Sequence, residues 1–413
     1  MATPKYDVVF VGGGLAALLL LKELREAWPE RVAVIDPSPP LERPPVHWSY
    51  WSRGQTLYDS FAIGAWRRAR VADMPSKSIT PYTMRLVRST DVFAHIAELL
   101  MSAPIEWIHA EARSISRRND ELYEIATNDS PIYARWVFDS APDVVPTFPS
   151  PRQPRAVLSG TGIHVSSDRE VFDSATATLF DPLDERSFAY LLPLSRTEAL
   201  LESASFDSVA RKTDETPLLL YLRARHPEAY FTVTHAEHGS IPLGFAPLQT
   251  TGPRHILLGT KRGLIKPSAG YGIVRIARES EHLARLWREN LPLPPGWRAK
   301  WRWRLLDKGF LQLAAHAGCR WRWCTASCAP YPSLNRCALL TKSFRPGNWR
   351  RFSGRHFPSS SASGSWYVET SSADLLGVGL TLEPYPMRKS SCGNPSRSRS
   401  SRNRGRSSAA SIG

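Results

Sequence analysis

Residues 6 to 36, YDVVFVGGGLAALLLLKELREAWPERVAVID, constrain the fold of this chain more than any other stretch. YDVVFVG is the short apolar run of a buried strand. LAALLLLKELREAW is built from strong helix formers with a polar side emerging at Lys22, Glu23 and Arg25, and RVAVID is a second strand. Strand, glycine turn, helix and strand within about 30 residues is the size at which a right-handed parallel crossover forms. The turn fits G-x-G-x-x-A: Gly12 closes it, Gly14 lets a pyrophosphate approach the backbone, and Ala17 lets the helix pack closely on the strand. The helix amino terminus then offers free N–H groups to negative charge. Asp36 ends the second strand about 24 residues after Gly12, near the place of an acid that accepts hydrogen bonds from ribose hydroxyls. A dinucleotide-binding α/β unit is expected.

The rest of the chain divides by its hydrophobic period. Residues 37–45 are proline-rich and predict a loop, TDVFAHIAELLMSA predicts a helix capped by Thr90 or Asp91, and ARWVFDS predicts a strand returning to the first sheet. From about residue 155 to 250 the period is mostly two, in GIHVSSD, TATLFD, FAYLLPLS, EALLESASF and GSIPLG, with one helical run, TPLLLYLRARH. The expected fold is therefore α/β: a Rossmann-like FAD-binding domain over residues 1–150 and 251–318, with an antiparallel substrate sheet, 151–250, inserted between its halves. FAD suits a unit interrupted in this way better than NAD. The second half returns with HILLGT, then GLIKPSAGYG, then the amphipathic helix GIVRIARESEHLARLWREN. A strand, a Gly-Tyr-Gly turn and a helix amino terminus would bring more N–H groups to a flavin or its phosphates, so Gly270, Tyr271 and Gly272 join Gly12, Gly14, Ala17 and Asp36 as cofactor residues. Lys266 serves either an anionic flavin or an ion pair at the surface.

The formal net charge of +15 is unevenly spread: residues 301–413 hold 18 Lys and Arg against 4 Asp and Glu. The first 300 residues are close to neutral, so nucleic acid is not an expected partner of the main fold. All 5 cysteines follow residue 318, and CRWRWCTASC lacks the paired C-x-x-C of zinc folds; no metal is expected. SRSRSSRNRGRSSAASIG cannot bury a core, and residues 319–413 read as a basic Ser/Arg-rich tail, disordered or translated from a shifted frame. No apolar run reaches the roughly 18 residues of a membrane span, and Asp7 falls where a secretory leader would be apolar, so a cytoplasmic protein is expected. His47, Trp48, Tyr50 and Trp51 form an aromatic cluster suited to a plain core or to a slot for an apolar or cationic ligand.

Four stretches carry a resemblance: DVVFVGGGLAALLL, HWSYW, FDPLDERSFAYLLPLSRTEALLESASF with EHGSIPLG, and GLIKPSAGYGIVRIA. Over about residues 5 to 310 they resemble the flavin-dependent lycopene cyclases, with Ala269 where that family's Pro-Ser-Thr-Gly-Tyr segment has Thr. The resemblance implies an intramolecular lyase. It adds a proton to the terminal double bond of a linear polyene, closes a six-membered ring through a tertiary carbocation, and removes a proton elsewhere. Net redox change is zero, yet reduced FAD is required and NAD(P)H keeps it reduced. The implied partner is lycopene or a related linear carotenoid, collected by peripheral association at the inner face of the membrane.

Such a reaction calls for a carboxylic acid held neutral in an apolar pocket and a negative or π-rich wall facing the cation. Glu202 in ALLESASF matches the first carboxylate of the family's Leu-Glu-Glu-Thr segment, whereas Ser203 and Ala204 replace the acid and threonine that follow. Glu237 matches a Glu-x-Gly segment, as a second acid or an orienting group, and Asp181 matches an Asp-Pro pair with either substrate or turn duties. His47, Trp48, Tyr50 and Trp51 would line the polyene slot. Two alternatives share parts of this pattern: a flavin-dependent monooxygenase or prenyl/carotenoid reductase on the same nucleotide fold, and a nucleic-acid-binding protein acting through its basic tail.

Overall fold

A computed structural model describes residues 5–316 of the 413, apart from 26, 30, 142–154, 208, 211–213, 245–249, 298 and 300. The reading of residues 319–413, cysteines included, lies outside the described residues. Within them the leading β-turn-α-β unit folds as its spacing requires. Tyr6–Val11 pairs in parallel with Val32–Ile35 on one side and with Ile132–Asp139, the strand expected to return, on the other. Ile105–Ile108 extends the parallel layer beyond Val32–Ile35, and His255–Leu257 pairs in parallel with the end of Ile132–Asp139. Tyr123–Thr127 and Ala112–Arg117 complete the sheet antiparallel. Central strands of such a layer are covered on both faces and so carry apolar residues without alternation; Val8, Val9, Phe10, Ala33, Val34 and Val137 are at most 1% exposed.

One apolar cluster joins this sheet to the helices Leu15–Leu24, Ser89–Leu100 and Ile273–Arg288. The third is the amphipathic helix expected from the sequence, with Ile273, Ile276, Ala277, Leu283 and Ala284 buried. The second starts differently from expectation. Neither Thr90 nor Asp91 caps it: the helix begins at Ser89 with no side-chain cap, and Ser89 Oγ instead accepts the Val46 N–H at 2.9 Å, tying the helix start to the strand that follows the proline loop.

The period-two stretches form a second, seven-stranded sheet in the order Phe231–Gly244, Arg155–Ser167, Glu198–Asp207, Ser187–Pro193, Thr176–Pro182, Arg68–Val71, Lys77–Ser78. The first five are antiparallel throughout. Arg68–Val71 adds in parallel to Thr176–Pro182, so the sheet also draws on chain that precedes residue 150. Helix Thr216–Arg225 covers one face through Leu218 and Leu222. On the other face the helix Trp301–His316 sets Leu311 against Ala156, Phe188, Phe206 and Leu243. A three-stranded sheet of His47–Ser52, Thr83–Arg88 and Ala62–Trp66 lies between the two large ones. Its Tyr50 and Val87 enter the core of the first, and its Trp51, Met84 and Leu86 enter a cluster with Leu179, Leu192 and Leu200 of the second.

Candidate active site

At the carboxyl ends of the parallel strands, Gly12 has φ +89° and a Cβ there would come within 2.8 Å of Ser140 Oγ and 2.9 Å of the Ala141 nitrogen. Only glycine fits. Gly14 is the amino-terminal cap of Leu15–Leu24, and a Cβ on it would meet no protein atom within 4 Å. The backbone before the helix thus stands open to close approach, as a phosphate requires. Ala17 is fully buried. Asp36 is largely buried, accepts the Gly13 N–H at 2.6 Å and the Ser38 N–H at 2.9 Å, and pairs with Arg43 at 2.6 Å. It thereby holds the glycine turn from the end of the second strand. These residues fit a dinucleotide.

The second approach to this turn comes from the end of HILLGT, expected from the sequence as a returning strand but not as a contact of the glycine turn. Gly259, φ +54°, directly follows the last parallel strand, and a Cβ on it would sit 3.2 Å from the Ala16 Cβ. Nearby, buried Asp139 accepts from Lys261 Nζ at 2.7 Å and lies 3.3 Å from His255 Nε2. Burial alone would raise the Asp139 pKa; His255 and Lys261 more than offset it and hold the carboxyl below its usual range. The signal was present in HILLGTKRG, a strand ending in glycine and base.

Residues 266–272 form a tight loop. The Lys266 N–H donates to Tyr271 O at 2.8 Å, and the Gly270 N–H donates back to Lys266 O at 2.9 Å. Gly270 takes φ +72°, and a Cβ on it would be 2.6 Å from Leu158 Cδ2; at Gly272 the neighbour would be Ile265 Cδ1 at 2.4 Å. The left-handed turn thus requires Gly270 by backbone conformation alone, whereas Gly272, at φ −145°, is close only to the tip of Ile265. Lys266 is a buried ion pair, not a surface one: Nζ is 2.8 Å from Asp307 Oδ1, itself 2% exposed. The loop delivers Tyr271 to the second sheet, where its phenol lies near Trp51, Ser49 and Tyr190. Burial pushes both the Tyr190 and Tyr271 phenols up.

Here the two predicted carboxylates meet. Gly162 is the register partner of Glu202 on one side and of Glu237 on the other, and Tyr190 continues the row beyond Glu202. Directly opposed residues share a face of a sheet, so Glu237, Gly162, Glu202 and Tyr190 point the same way. Two strand spacings set the glutamate Cα atoms about 10 Å apart. A Cβ on Gly162 would lie 2.9 Å from Glu237 Cγ and 3.0 Å from Oε1; the glutamate leans over the glycine toward Glu202. The next row holds Gly239, Gly160 and Ala204, so small residues flank the acids. Among the described residues no hydrogen bond reaches the Glu202 carboxyl. Burial and then the Glu237 charge push it up to about 8. Glu202 nevertheless keeps some accessible surface.

The acid missing at position 203 is explained by the same alternation. Ser203 faces the opposite side, buried, with its hydroxyl donating to Thr161 O at 3.4 Å. A carboxylate there would point away from Glu202, whereas Glu237 stands beside it in the row.

Alternation also divides the aromatic cluster. His47, Ser49 and Trp51 face the second sheet, while Tyr50, 1% exposed, turns into the first core against Tyr58, and Trp48 stacks edge-on against Phe93 of helix Ser89–Leu100. Trp48 and Tyr50 are core residues and do not line the carboxylate face. Asp181 lies on the far side: it accepts from Tyr221 Oη and Arg225 Nη2, both at 2.6 Å, and pins helix Thr216–Arg225 to the sheet. His47 donates twice to Glu237 Oε2, from its peptide N–H at 2.9 Å and through Nδ1 at 3.1 Å. His235 Nε2 stands 3.8 Å from the same oxygen and donates to Pro45 O at 3.1 Å. These three residues bring ligand-type atoms within 4.8 Å of one another, a spacing a cation could share, although here the same atoms are engaged with protein partners.

A dinucleotide turn, a returning strand and a large second sheet with acids on one face define a Rossmann-like FAD-binding fold with a second, largely antiparallel sheet. A geranylgeranyl bacteriochlorophyll reductase-like protein from Thermoplasma acidophilum shares the fold with a TM-score of 0.50 at 14% identity, over 76% of this chain and 86% of its own. The p-nitrophenol 4-monooxygenase of Pseudomonas putida DLL-E4 does so with a TM-score of 0.50 at 17% identity, over 78% and 90%. At these identities the likeness is one of fold. The chain belongs to the lycopene cyclase protein family, which it matches over residues 7–391, well past the last of the quoted motifs. No curated protein matches it.

Proposed function

We propose that the protein is a lycopene cyclase, an intramolecular lyase that closes the linear ends of lycopene or a related carotenoid to β-ionone rings, with reduced FAD as a non-redox cofactor. The observation that carries this reading is Glu202. Its carboxyl, raised to about 8, stands on one face with Glu237 across a residue that has no side chain. An acid kept neutral near pH 7 is a usable proton donor to an alkene, and a nearby carboxylate can take a proton back.

Gly14, the first N–H groups of Leu15–Leu24 and Asp36 would hold FAD. When bound and reduced by NAD(P)H, the flavin supplies a negative, electron-rich neighbour for a cation. The chain's own residues do the rest. Glu202 protonates the terminal double bond. Trp51, Tyr190 and Tyr271 offer ring faces to the carbocation and exclude water. Gly239, where a Cβ would meet no atom within 4 Å, leaves room beside the acids for a flat polyene along the sheet. Among the described residues no helix is long and apolar enough to cross a membrane. The substrate is insoluble in water, so peripheral contact at the cytoplasmic face of a membrane completes the reading, with Leu220 and Tyr230 (59% and 80% exposed) suited to touch lipid.

The test is expression in lycopene-accumulating cells with chromatography and mass analysis of the pigments. Ring closure leaves the mass unchanged while retention and absorbance shift. Unchanged lycopene, or a product altered in mass by oxidation or reduction, would reject the cyclase in favour of no activity or of a flavin oxidoreductase.

A further inference from the structure

We propose that His47 is a positioning residue that aims Glu237 Oε1 as the base of the ring-closing reaction, so that the His47–Glu237 pair decides which proton leaves the ring. The inference rests on the cyclase reading and deepens it. Glu237 Oε2 is held by two donors from one residue, the His47 peptide N–H and imidazole Nδ1. A carboxylate fixed at one oxygen by two donors cannot rotate freely, and its other oxygen acquires a defined direction. That oxygen, Oε1, lies over Gly162, in the row that leads to Glu202. The imidazole is itself confined: the His47 side chain is 5% exposed, with the rings of His235 and His164 at 5.8 and 6.4 Å.

The proton count closes without any redox partner. Glu202 gives its proton to the inner carbon of the terminal double bond, leaving a tertiary cation at the outer carbon; a later double bond of the chain attacks that carbon, forming the ring C–C bond and moving the positive charge to a second tertiary centre. A C–H bond beside that centre breaks, its electron pair becomes the ring double bond, and the proton passes to Glu237 Oε1. One proton has then moved from Glu202 to Glu237, and its return across Gly162, directly or through water, restores both groups. The ring double bond falls wherever Oε1 reaches a hydrogen, because two or more C–H bonds flank a tertiary cation and only the aligned one is lost quickly. Position of the double bond is thus a readout that general loss of stability does not mimic.

The experiment compares wild type, His47→Leu and His47→Asn in lycopene-accumulating cells and as purified flavin-loaded protein, scoring ring yield, double-bond position and kcat against KM. Asparagine keeps a side-chain N–H donor near the place of Nδ1; leucine removes it and keeps bulk. His47→Leu is expected to lower kcat about 10- to 100-fold with little change in KM and to give a mixture of double-bond positions, with His47→Asn restoring most of both. If the wild type forms rings and His47→Leu forms the same rings at the same rate, or if His47→Asn retains flavin but is as impaired as His47→Leu, the positioning role is overturned. Should His47→Leu fail to retain flavin, His47→Asn and Glu237→Gln decide: wild-type rates and a single double-bond position in both would overturn it. A wild type that forms no ring defeats the cyclase reading itself, which separates the two failures.

Discussion

Replacing Glu202 by glutamine should make the protein more stable while stopping the reaction. The Glu202 carboxyl is raised from 4.5 to about 8 in the folded protein, first by burial and then by Glu237. Between those values the unfolded chain has released this proton and the folded chain still holds it. Stability therefore falls as pH rises, by about 1.4 kcal/mol per pH unit, from the unfolded pKa until the folded pKa is passed. At pH 7 the accumulated cost is on the order of 3 kcal/mol, approaching ~5 kcal/mol above pH 8. Glutamine has the shape of the neutral acid and no proton to lose. Equilibrium urea unfolding of wild type and Glu202→Gln, run from about pH 5 to about pH 8, should show the variant gaining on the wild type at close to that slope. Ring formation by the variant should drop by about 10²-fold or more, because the amide cannot donate a proton to an alkene. A stability difference that does not grow with pH would refute the buried-acid argument, and wild-type conversion by the variant would remove Glu202 from the mechanism.

Other outcomes follow from the same geometry. Gly14→Val should fold normally, since its Cβ meets no protein atom, yet lose bound flavin, because the side chain fills the approach of the pyrophosphate; undiminished flavin absorbance in the purified variant would sink the assignment. Gly162→Ala pushes a methyl group against Glu237 Cγ and Oε1, and should cut kcat about 10- to 100-fold with flavin retained; an unchanged kcat would mean that the contact between the two residues is unimportant. Asp181→Ala strips the acceptor from Tyr221 and Arg225 and should cost about 3 kcal/mol in urea unfolding, without changing the double-bond position of the product; a neutral effect on stability would contradict its role as an anchor.

The glycine turn, its flanking strands and helix, and the amphipathic run after Gly272 were legible because each is a local pattern: the distance between Gly12 and Asp36, or between Ile273 and Ala277, is set by backbone geometry alone. Glu202 and Glu237 were legible as types of residue in short motifs. Their relation was not. Glu237 and His47 are 190 positions apart and meet only because Phe231–Gly244 is the edge strand that the proline loop passes.

What the sequence by itself determined is thus the set of elements, together with the glycine turn and helix start that a dinucleotide needs, since these depend on neighbours along the chain. Tertiary structure decided which face each side chain took and what it met there. Strand alternation sent Tyr50 and Trp48 into the core and left Trp51 and His47 at the site. Register put Gly162 between two glutamates and turned Ser203 away from both. Lys266, read as a surface or flavin-facing charge, found Asp307 on a helix 41 residues later and became a buried pair. Register and burial are properties of strands already assembled, and the raised pKa of the Glu202 carboxyl is their consequence: a carboxyl is ordinary in the extended chain and holds its proton toward pH 7 only when folding removes its water and sets a second charge beside it.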